Sequence, residues 1–315
     1  MKHFLHDTDL SVEDITQIFD QAALLKSSRT SSQPPVLKNQ TWGLIFYKNS
    51  TRTRISFEVG INELSGNAIF LDNNSIQINR GESIQDTAQV LSRYLHGLII
   101  RTHEHEIIET FAKNASIPVV NALTNFLHPC QTYTDVFTIL EQLGKGSLAS
   151  LSDLEGKKVV FFGDTACNMA NSWILIAKLF KINLVLCGPE DFRPKEKIIS
   201  FLDNQNMDSG ITFCSDPKAA AENADVLYTD VWVSMGDEAE ARNRINIMQP
   251  YSVTPALLKL AKPSAIFMHC MPTHPGMEVT QDVLDSPQAI LYDQAENRLH
   301  VQKAILAHLA EVNRK

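Results

Sequence analysis

The stretch FYKNSTRTRISFEVG, residues 46–60, combines residue types that could hold an anion. An apolar run ends there in hydroxyl side chains and arginines, and a helical pattern begins directly afterwards. The first amide groups of a helix have no backbone partner and carry a partial positive charge, so they bind anions. Ser50 or Thr51 can cap this helix, and Arg52 adds a planar fork that matches two phosphate oxygens. The stretch therefore predicts a phosphate site.

The same residues also allow an ordinary alternative, in which Ser50 is a simple helix cap and the arginines are solvated. Arg54 fits that description, because Glu58 stands four residues further along the predicted helix and can pair with it. Arg52 has no partner at helical spacing. The Walker pattern GxxxxGK[ST] does not occur in the sequence, so we expect a small phosphate compound rather than a nucleoside triphosphate with magnesium.

The predicted strands and helices that would position these residues alternate regularly along the chain. Apolar, β-branched runs alternate with stretches of helical periodicity, which predicts βαβ units and parallel sheets flanked by helices. Gly, Ser and Lys collect at 143–158, so we predict two α/β domains, 1–143 and 144–294, with a last helix at 295–315 packing back on the first. The predicted strands lie within 41–47, 67–72, 97–102, 117–123, 157–164, 182–188, 211–216, 225–232, 265–272 and 289–294.

Polar side chains follow most of these strands. In open parallel sheets, ligands bind beyond the carboxyl ends of the strands, so we expect one site in a cleft between the two domains. The residues at these positions are Ser50, Thr51, Arg52, Thr53, Gln77, Arg101, His128 and Gln131 in the first half, then Asn168, Asp230, Ser234, His269, Cys270 and Arg298.

The composition excludes several classes of function. The chain has 315 residues with 28 basic and 36 acidic side chains, and a net charge of −8 argues against general nucleic-acid binding. The most apolar segment is interrupted by Lys178 and Lys181, and the first residues lack a signal-peptide core, so we expect no membrane span and no export. Five scattered cysteines without a CxxC pair fit a reducing cytoplasm better than a disulfide framework or a zinc site.

Several motifs resemble those of one enzyme family. STRTR with SFE, and HPCQ at 128–131, are similar to the carbamoyl-phosphate motifs of the aspartate and ornithine carbamoyltransferases, and the match covers nearly the whole chain. DVWVSMG at 230–236 resembles the ornithine-binding loop, and HCMP at 269–272 resembles the HCLP motif of the ornithine branch. Aspartate carbamoyltransferases lack both features.

The resemblance implies transfer of a carbamoyl group from carbamoyl phosphate to L-ornithine, giving L-citrulline and phosphate in the arginine and urea pathways. It implies no metal and no organic cofactor, and a homotrimer or an assembly of trimers in which the loop carrying Gln77 lies at the subunit interface. Carbamoyl phosphate would be bound by Ser50, Thr51, Arg52, Thr53, Gln77, Arg101, His128, Gln131, Cys270, Met271 and Arg298. Ornithine would be bound by Asn168, Asp230, Ser234 and Met235, and the catalytic residues would be Cys270, Arg101, His128 and Asp230.

Two rivals remain beside this hypothesis. A sibling enzyme could carbamoylate an N-acyl ornithine, although SMG argues against it, and a silent paralogue could bind phosphate metabolites without turnover. One departure affects substrate preference: Pro275 and Met277 stand where the family more often has arginine and glutamate. HEHE at 103–106 does not have the spacing of a helical metal pair, and we interpret it as a solvated loop.

Overall fold

The computed structural model describes residues 1–31, 33–72, 81–144, 150–208, 210–233 and 241–314. The chain folds into two compact units. Unit 1 consists of Met1–Phe137 with Glu296–Lys315, and unit 2 consists of Thr138–Ala295.

Unit 1 contains a four-stranded parallel sheet in the order β2-β1-β3-β4. Its central strands β1 and β3 are buried almost throughout, as expected for strands covered on both faces. The strands are β1 Thr41–Phe46, β2 Asn67–Asp72, β3 Gly97–Arg101 and β4 Val119–Leu123, and the helices that start in this unit are α1 Val12–Ser27, α2 Thr51–Glu63, α3 Ile84–Tyr94, α4 His105–Asn114 and α5 Pro129–Leu143.

Unit 2 contains a five-stranded parallel sheet in the order β7-β6-β5-β8-β9. The strands are β5 Lys158–Phe162, β6 Asn183–Cys187, β7 Thr212–Cys214, β8 Val226–Thr229 and β9 Ile266–His269. The helices are α6 Asn168–Phe180, α7 Glu196–Asn204, α8 Pro217–Ala221, α9 Ala241–Met248, α10 Pro255–Leu258 and α11 Gln281–Leu284, followed by α12 Leu291–Val312, whose residues from Glu296 onward belong to unit 1.

The predicted class is confirmed: the chain is α/β, with two parallel sheets flanked by helices. The strand expected at 289–294 is wrong. Ala289 makes only an isolated bridge to Phe267, and α12 begins at Leu291. The helical spacing of apolar residues in the rest of α12 extends back to Leu291. The helix therefore includes residues that we had assigned to a strand from a short apolar run.

The interpretation of residues 103–106 as a solvated loop holds for His103 and Glu104, which are exposed before α4, but is wrong for the next two residues. His105 does not lie in a solvated loop but is the first residue of α4, and it is only 4% exposed. Its ring packs against Phe126 with centroids 5.3 Å apart, and Thr124 Oγ1 lies 2.9 Å from its Nδ1. These partners are about twenty residues away in the sequence, so local polarity could not reveal the burial.

No helix in the described part of the chain is both long enough and apolar enough to cross a membrane.

Candidate active site

The start of α2 is built as the sequence predicted. Thr53 N donates to Ser50 Oγ at 3.3 Å, which makes Ser50 the helix cap, and the Ser50 hydroxyl in turn donates to Thr53 Oγ1 at 3.0 Å. Thr51 and Arg52 are exposed in the same turn. The amides and hydroxyls of this turn therefore form a positively polarised helix end.

Arg54 has the structural role that its spacing indicated. Its Nε donates to Glu58 Oε1 at 2.9 Å, and its guanidinium lies 3.7 Å above the centre of the Phe70 ring. Both contacts lie on the surface of α2, so Arg54 and Arg52 differ in their neighbours although they are two residues apart.

Arg298 joins three elements of unit 1. Its Nη1 donates to Gln131 Oε1 at 2.6 Å, and its Nη2 donates to Thr53 Oγ1 at 3.0 Å. Gln131 is itself held by a bond from its Nε2 to Asp135 Oδ1 at 2.7 Å. Because Arg298 is only 5% exposed, these bonds give a buried cation a fixed direction beside the start of α2.

Arg101 and His128 are two more buried polar residues of this unit. Arg101 ends β3 and is 7% exposed, while His128 directly precedes α5 and is 5% exposed. Burial, followed by the positive charges of Arg298 and Arg101, lowers the pKa of His128 well below its usual value. The imidazole is therefore neutral at physiological pH and can donate one hydrogen bond without carrying a charge.

In unit 2, the ends of two neighbouring strands bring a thiol and a carboxylate together. Cys270 follows β9 and Asp230 follows β8, and Cys270 Sγ donates to Asp230 Oδ1 at 2.9 Å. The same carboxylate oxygen accepts the backbone amide of Val231 at 2.7 Å. Both side chains are half-buried, so the pair is ordered by the protein and still reachable.

Asn168 is the first residue of α6 and is half-buried. The helix is capped by Cys167, whose Sγ accepts the amide of Ala170 at 3.4 Å.

The backbone after Cys270 is held by two buried residues. The Met271 amide donates to His269 Nδ1 at 2.7 Å, so the neutral ring carries its hydrogen on Nε2, which lies 3.4 Å from Glu278 Oε1. Glu278 also accepts the amide of His274 at 2.6 Å. Met271 has φ +59°, a left-handed conformation that a residue with a side chain adopts only when its surroundings impose it.

Sequence reasoning did not identify Glu278 or Arg244 as part of this region. Arg244 lies on α9 and donates to both the carboxylate of Asp164 and the backbone carbonyl of Trp232. A Cβ at Gly163 would come within 2.7 Å of Trp232 Nε1, so the segments after β5 and β8 can approach closely only because residue 163 is glycine. No motif signals these residues, although the four-residue spacing of His274 and Glu278 permits the contact.

Three predicted ligands lie outside the described residues: Gln77, Ser234 and Met235. The other predicted residues fall into two sets. In unit 1, Thr53 and Gln131 converge on Arg298, and the cations Arg101 and Arg298 are close enough to His128 to depress its pKa. In unit 2, Asp230 and Cys270 converge and Met271 follows them. The first set favours an anion, and the second offers a carboxylate to a cationic amine.

Comparison with known proteins identifies the family. The model of the aspartate/ornithine carbamoyltransferase carbamoyl-P binding domain matches residues 2–141, and that of the Asp/Orn binding domain matches residues 155–309.

Full-length relatives agree with the domain models. The ornithine carbamoyltransferase of Syntrophus aciditrophicus is 48% identical over 306 residues, covering 97% of this chain and 98% of that protein, and that of Thermococcus kodakarensis is 45% identical, covering 95% and 93%. The solved ornithine carbamoyltransferase of Pyrococcus furiosus superposes with a TM-score of 0.87 at 43% identity, covering 97% of this chain and 96% of that one. The anabolic ornithine carbamoyltransferase of Campylobacter jejuni gives 0.88 at 34% identity, covering 99% and 100%. The chain belongs to the aspartate/ornithine carbamoyltransferase family.

Proposed function

We infer that this protein transfers the carbamoyl group of carbamoyl phosphate to the δ-amine of L-ornithine, giving L-citrulline and phosphate. The observation that carries this inference is the pairing of Cys270 with Asp230 at the ends of β9 and β8. Within the family, this pair belongs to HCMP and DVW, the motifs that resemble the ornithine branch. The names of the full-length relatives support the same choice.

The chemistry of the acceptor explains why a carboxylate and a thiol stand together. An alkylammonium has a pKa of about 10.4, so ornithine must lose a proton from its δ-nitrogen before that nitrogen can attack. Removing water from around the ammonium lowers its pKa. We propose that Asp230 holds the cationic amino acid and accepts the departing proton by way of Cys270, whose sulfur takes that proton as its own hydrogen passes to the carboxylate. Asn168, Ser234 and Met235 would bind the amino-acid end.

The chemistry of the donor explains the cationic set. The δ-nitrogen forms a bond to the carbonyl carbon, and negative charge develops on the carbonyl oxygen. The bond from that carbon to the phosphate oxygen then breaks, and the departing phosphate takes the remaining extra proton of the nitrogen. We propose that Arg101 and neutral His128 donate hydrogen bonds to the carbonyl oxygen. Removal of one such donor typically costs about 3 to 4 kcal/mol of barrier.

The departing phosphate needs donors of its own. We propose that the phosphate is held by three kinds of group in unit 1. They are the amides at the start of α2, the hydroxyls of Ser50, Thr51 and Thr53, and the guanidinium groups of Arg52 and Arg298. Gln131 would orient Arg298 as it does in the structure. Gln77 and the backbone of Met271 complete the proposed set of carbamoyl-phosphate contacts.

The finer organisation of the protein is also a proposal. Residues 1–143 would form the carbamoyl-phosphate-binding domain, with 295–315 packing back on it, and 144–294 the ornithine-binding domain. We propose a cytoplasmic homotrimer that works in the biosynthetic direction, which the anabolic relatives from Pyrococcus furiosus and Campylobacter jejuni support.

A comparison of acceptor substrates tests the activity. The purified protein is incubated with carbamoyl phosphate and, in separate reactions, with ornithine, N-acetylornithine, putrescine or aspartate, and the carbamoylated product is identified by mass. We expect rapid formation of citrulline from ornithine and little product from the other amines. Product from N-acetylornithine alone would identify the N-acyl enzyme, and no turnover of any acceptor would identify a silent paralogue; either result contradicts the proposal.

A further inference from the structure

Unit 1 contains a second group of titratable side chains, formed by His6, His105 and Glu109. His6 belongs to the amino-terminal segment, which Phe4 attaches to β4 through a bridge with Val120. His105 and Glu109 lie one turn apart at the start of α4. The Nε2 atoms of the two histidines each lie 3.9 Å from Glu109 Oε1, and the ring centroids are 5.0 Å apart. Three potential ligand atoms thus lie within 4.8 Å of one another.

The far side of the His6 ring is held by a carboxylate. Its Nδ1 lies 3.0 Å from Asp9 Oδ1, and a carboxylate can only accept, so Nδ1 carries a hydrogen. Asp9 is fixed in turn by the amides of Leu5 and His6, at 2.6 and 2.9 Å. In its neutral form the His6 ring presents the lone pair of Nε2 to Glu109, so an ion bound there takes the place of a proton. Such a carboxylate behind a histidine is the arrangement that orients metal-binding imidazoles.

The His105 ring is held by a hydroxyl. Its Nδ1 lies 2.9 Å from Thr124 Oγ1. To bind an ion through Nε2, His105 must carry its hydrogen on Nδ1 and donate it to Thr124 Oγ1. The Thr124 hydroxyl can then donate to the carbonyl of Leu127, 3.4 Å away. The Thr124 oxygen, which also accepts the amides of Phe126 and Leu127, can share in accepting the His105 hydrogen, so the contacts permit the required tautomer.

We propose that His6, His105 and Glu109 form a binding site for a divalent transition-metal ion of the zinc class. Two imidazole nitrogens and one carboxylate oxygen are ligands that Zn²⁺, Co²⁺ and Ni²⁺ accept. Ligand atoms around tetrahedral zinc lie about 3.3 Å apart, since each bond is ~2.0 Å long. The two 3.9 Å distances to Glu109 Oε1 must therefore each shorten by about half an ångström. Glu109 can make most of that movement, because its side chain is 49% exposed while His6 and His105 are 17% and 3% exposed.

A second group with similarly close ligand atoms, Asp230, His269 and Cys270, is a weaker candidate. Both ring nitrogens of His269 face protein partners, namely the Met271 amide and Glu278. The Cys270 thiol can nevertheless bind zinc, so the experiment removes it.

Metal binding would connect the amino-terminal segment to α4. Thr124, which holds His105, also accepts the amides of Phe126 and Leu127 immediately before His128. An ion at this site would therefore stabilise the turn that carries His128 against unfolding.

The test uses the full-length protein with Cys270→Ser, so that the thiol does not contribute. Zn²⁺ binding is measured by calorimetry, and Co²⁺ binding is followed by its visible absorption, which reports ligand number and type. Three further variants are made in this background: His6→Gln, Glu109→Gln and, as a matched control, His103→Gln, an exposed histidine two residues from His105. We expect one saturable ion per chain in the Cys270→Ser protein and in the control.

In the His6→Gln and Glu109→Gln variants we expect Kd to rise at least tenfold, with loss of the Co²⁺ spectrum and of the rise in melting temperature that Zn²⁺ produces. Melting without metal shows whether each variant is folded. Unchanged affinity in both variants would overturn the proposal, because the ion would then bind elsewhere. Absence of saturable binding to the Cys270→Ser protein would overturn it as well.

Discussion

At the scale of single residues, Arg52 and Arg54 lie on the same helix but have different roles. We propose that Arg52 binds phosphate, whereas Arg54 makes structural contacts. Arg54 is paired with Glu58 and stacked on Phe70, whereas Arg52 is exposed in the turn that begins with the Ser50 cap. We expect Arg52→Ala to lower kcat/KM by about 10²- to 10³-fold, the usual effect of losing one donor to developing charge. Steady-state kinetics with carbamoyl phosphate measure this effect.

Arg54→Ala is the matched control for that change. Loss of a surface ion pair costs about 0 to 1 kcal/mol, so this variant should melt slightly earlier and keep its turnover. Equal kinetics for Arg52→Ala and the wild type would remove phosphate binding as the role of Arg52.

Glu278 is expected to position the backbone beside Cys270. Its buried carboxylate faces His269 Nε2 and accepts the His274 amide, and His269 accepts the amide of Met271. We expect Glu278→Ala to lower kcat with ornithine at least tenfold, while KM for carbamoyl phosphate changes little. Glu278→Gln retains an oxygen that can accept the His274 amide and face His269 Nε2, so it should recover most of the activity. An equally large loss in both variants would contradict positioning through hydrogen bonds.

Cys270→Ala tests the proposed role of the thiol in proton transfer. The change removes the donor to Asp230 Oδ1 and should impair turnover of ornithine and displace the pH profile of kcat/KM. Cys214→Ala, a half-buried cysteine elsewhere in unit 2, serves as the control. If the pH profile of Cys270→Ala overlays that of the wild type, the thiol has no part in deprotonating the amine.

At the scale of elements, α12 illustrates what local pattern could and could not predict. Its amphipathic spacing predicted a helix, but its start at Leu291 and its charged buried face could not be foreseen. Lys303 is fully buried and donates to Glu63 Oε2 at 2.6 Å, and Lys26 donates to Asn297 at 2.8 Å. The residues that satisfy these groups are separated from them by about 240 and 270 positions, a distance over which periodicity carries no information.

His300, also on α12, should make folding sensitive to acid. Burial, followed by the positive charge of Lys303, lowers the pKa of His300 from 6.5 to about 4 despite the nearby Glu296. As pH falls from 6.5 to 4, the unfolded chain therefore takes up this proton before the folded protein does, and stability is lost. Above pH 6.5 the group contributes no dependence on pH.

The prediction is checked by urea unfolding between pH 4.5 and 7.5. His300→Gln should flatten the loss of stability towards low pH, after allowance for any constant cost of the substitution. His103→Gln, which changes an exposed histidine, should keep the wild-type slope. An unchanged slope in His300→Gln would show that other groups determine the acid sensitivity.

At the scale of the whole molecule, the alternation of strands and helices was sufficient to predict two parallel sheets. Each strand or helix is indicated by the spacing of apolar residues within a short segment of the sequence. The ends of the strands also indicated Arg101, His128, Asp230 and Cys270 as site candidates. Sequence alone could not reveal Arg244 and Glu278, since their roles depend on contacts with Trp232, Asp164 and His269 that only the folded backbone creates.

Assembly is the remaining prediction at this scale. We expect sedimentation equilibrium to give a mass near three times that of one 35.2 kDa chain, or a multiple of the trimer. A single species with the mass of one chain and full activity would contradict both the trimer and a contribution of the Gln77 loop from a neighbouring subunit.

The bond between Arg298 and Thr53 spans 245 positions of the chain. During synthesis on the ribosome, the hydroxyl partner emerges long before the guanidinium exists, so a nascent polypeptide cannot complete this contact until residue 298 has been added. Premature termination or proteolytic trimming before residue 298 would leave the hydroxyl and Gln131 without their shared cation. Any such fragment is thereby deprived of a contact on which its affinity for an acyl phosphate would depend.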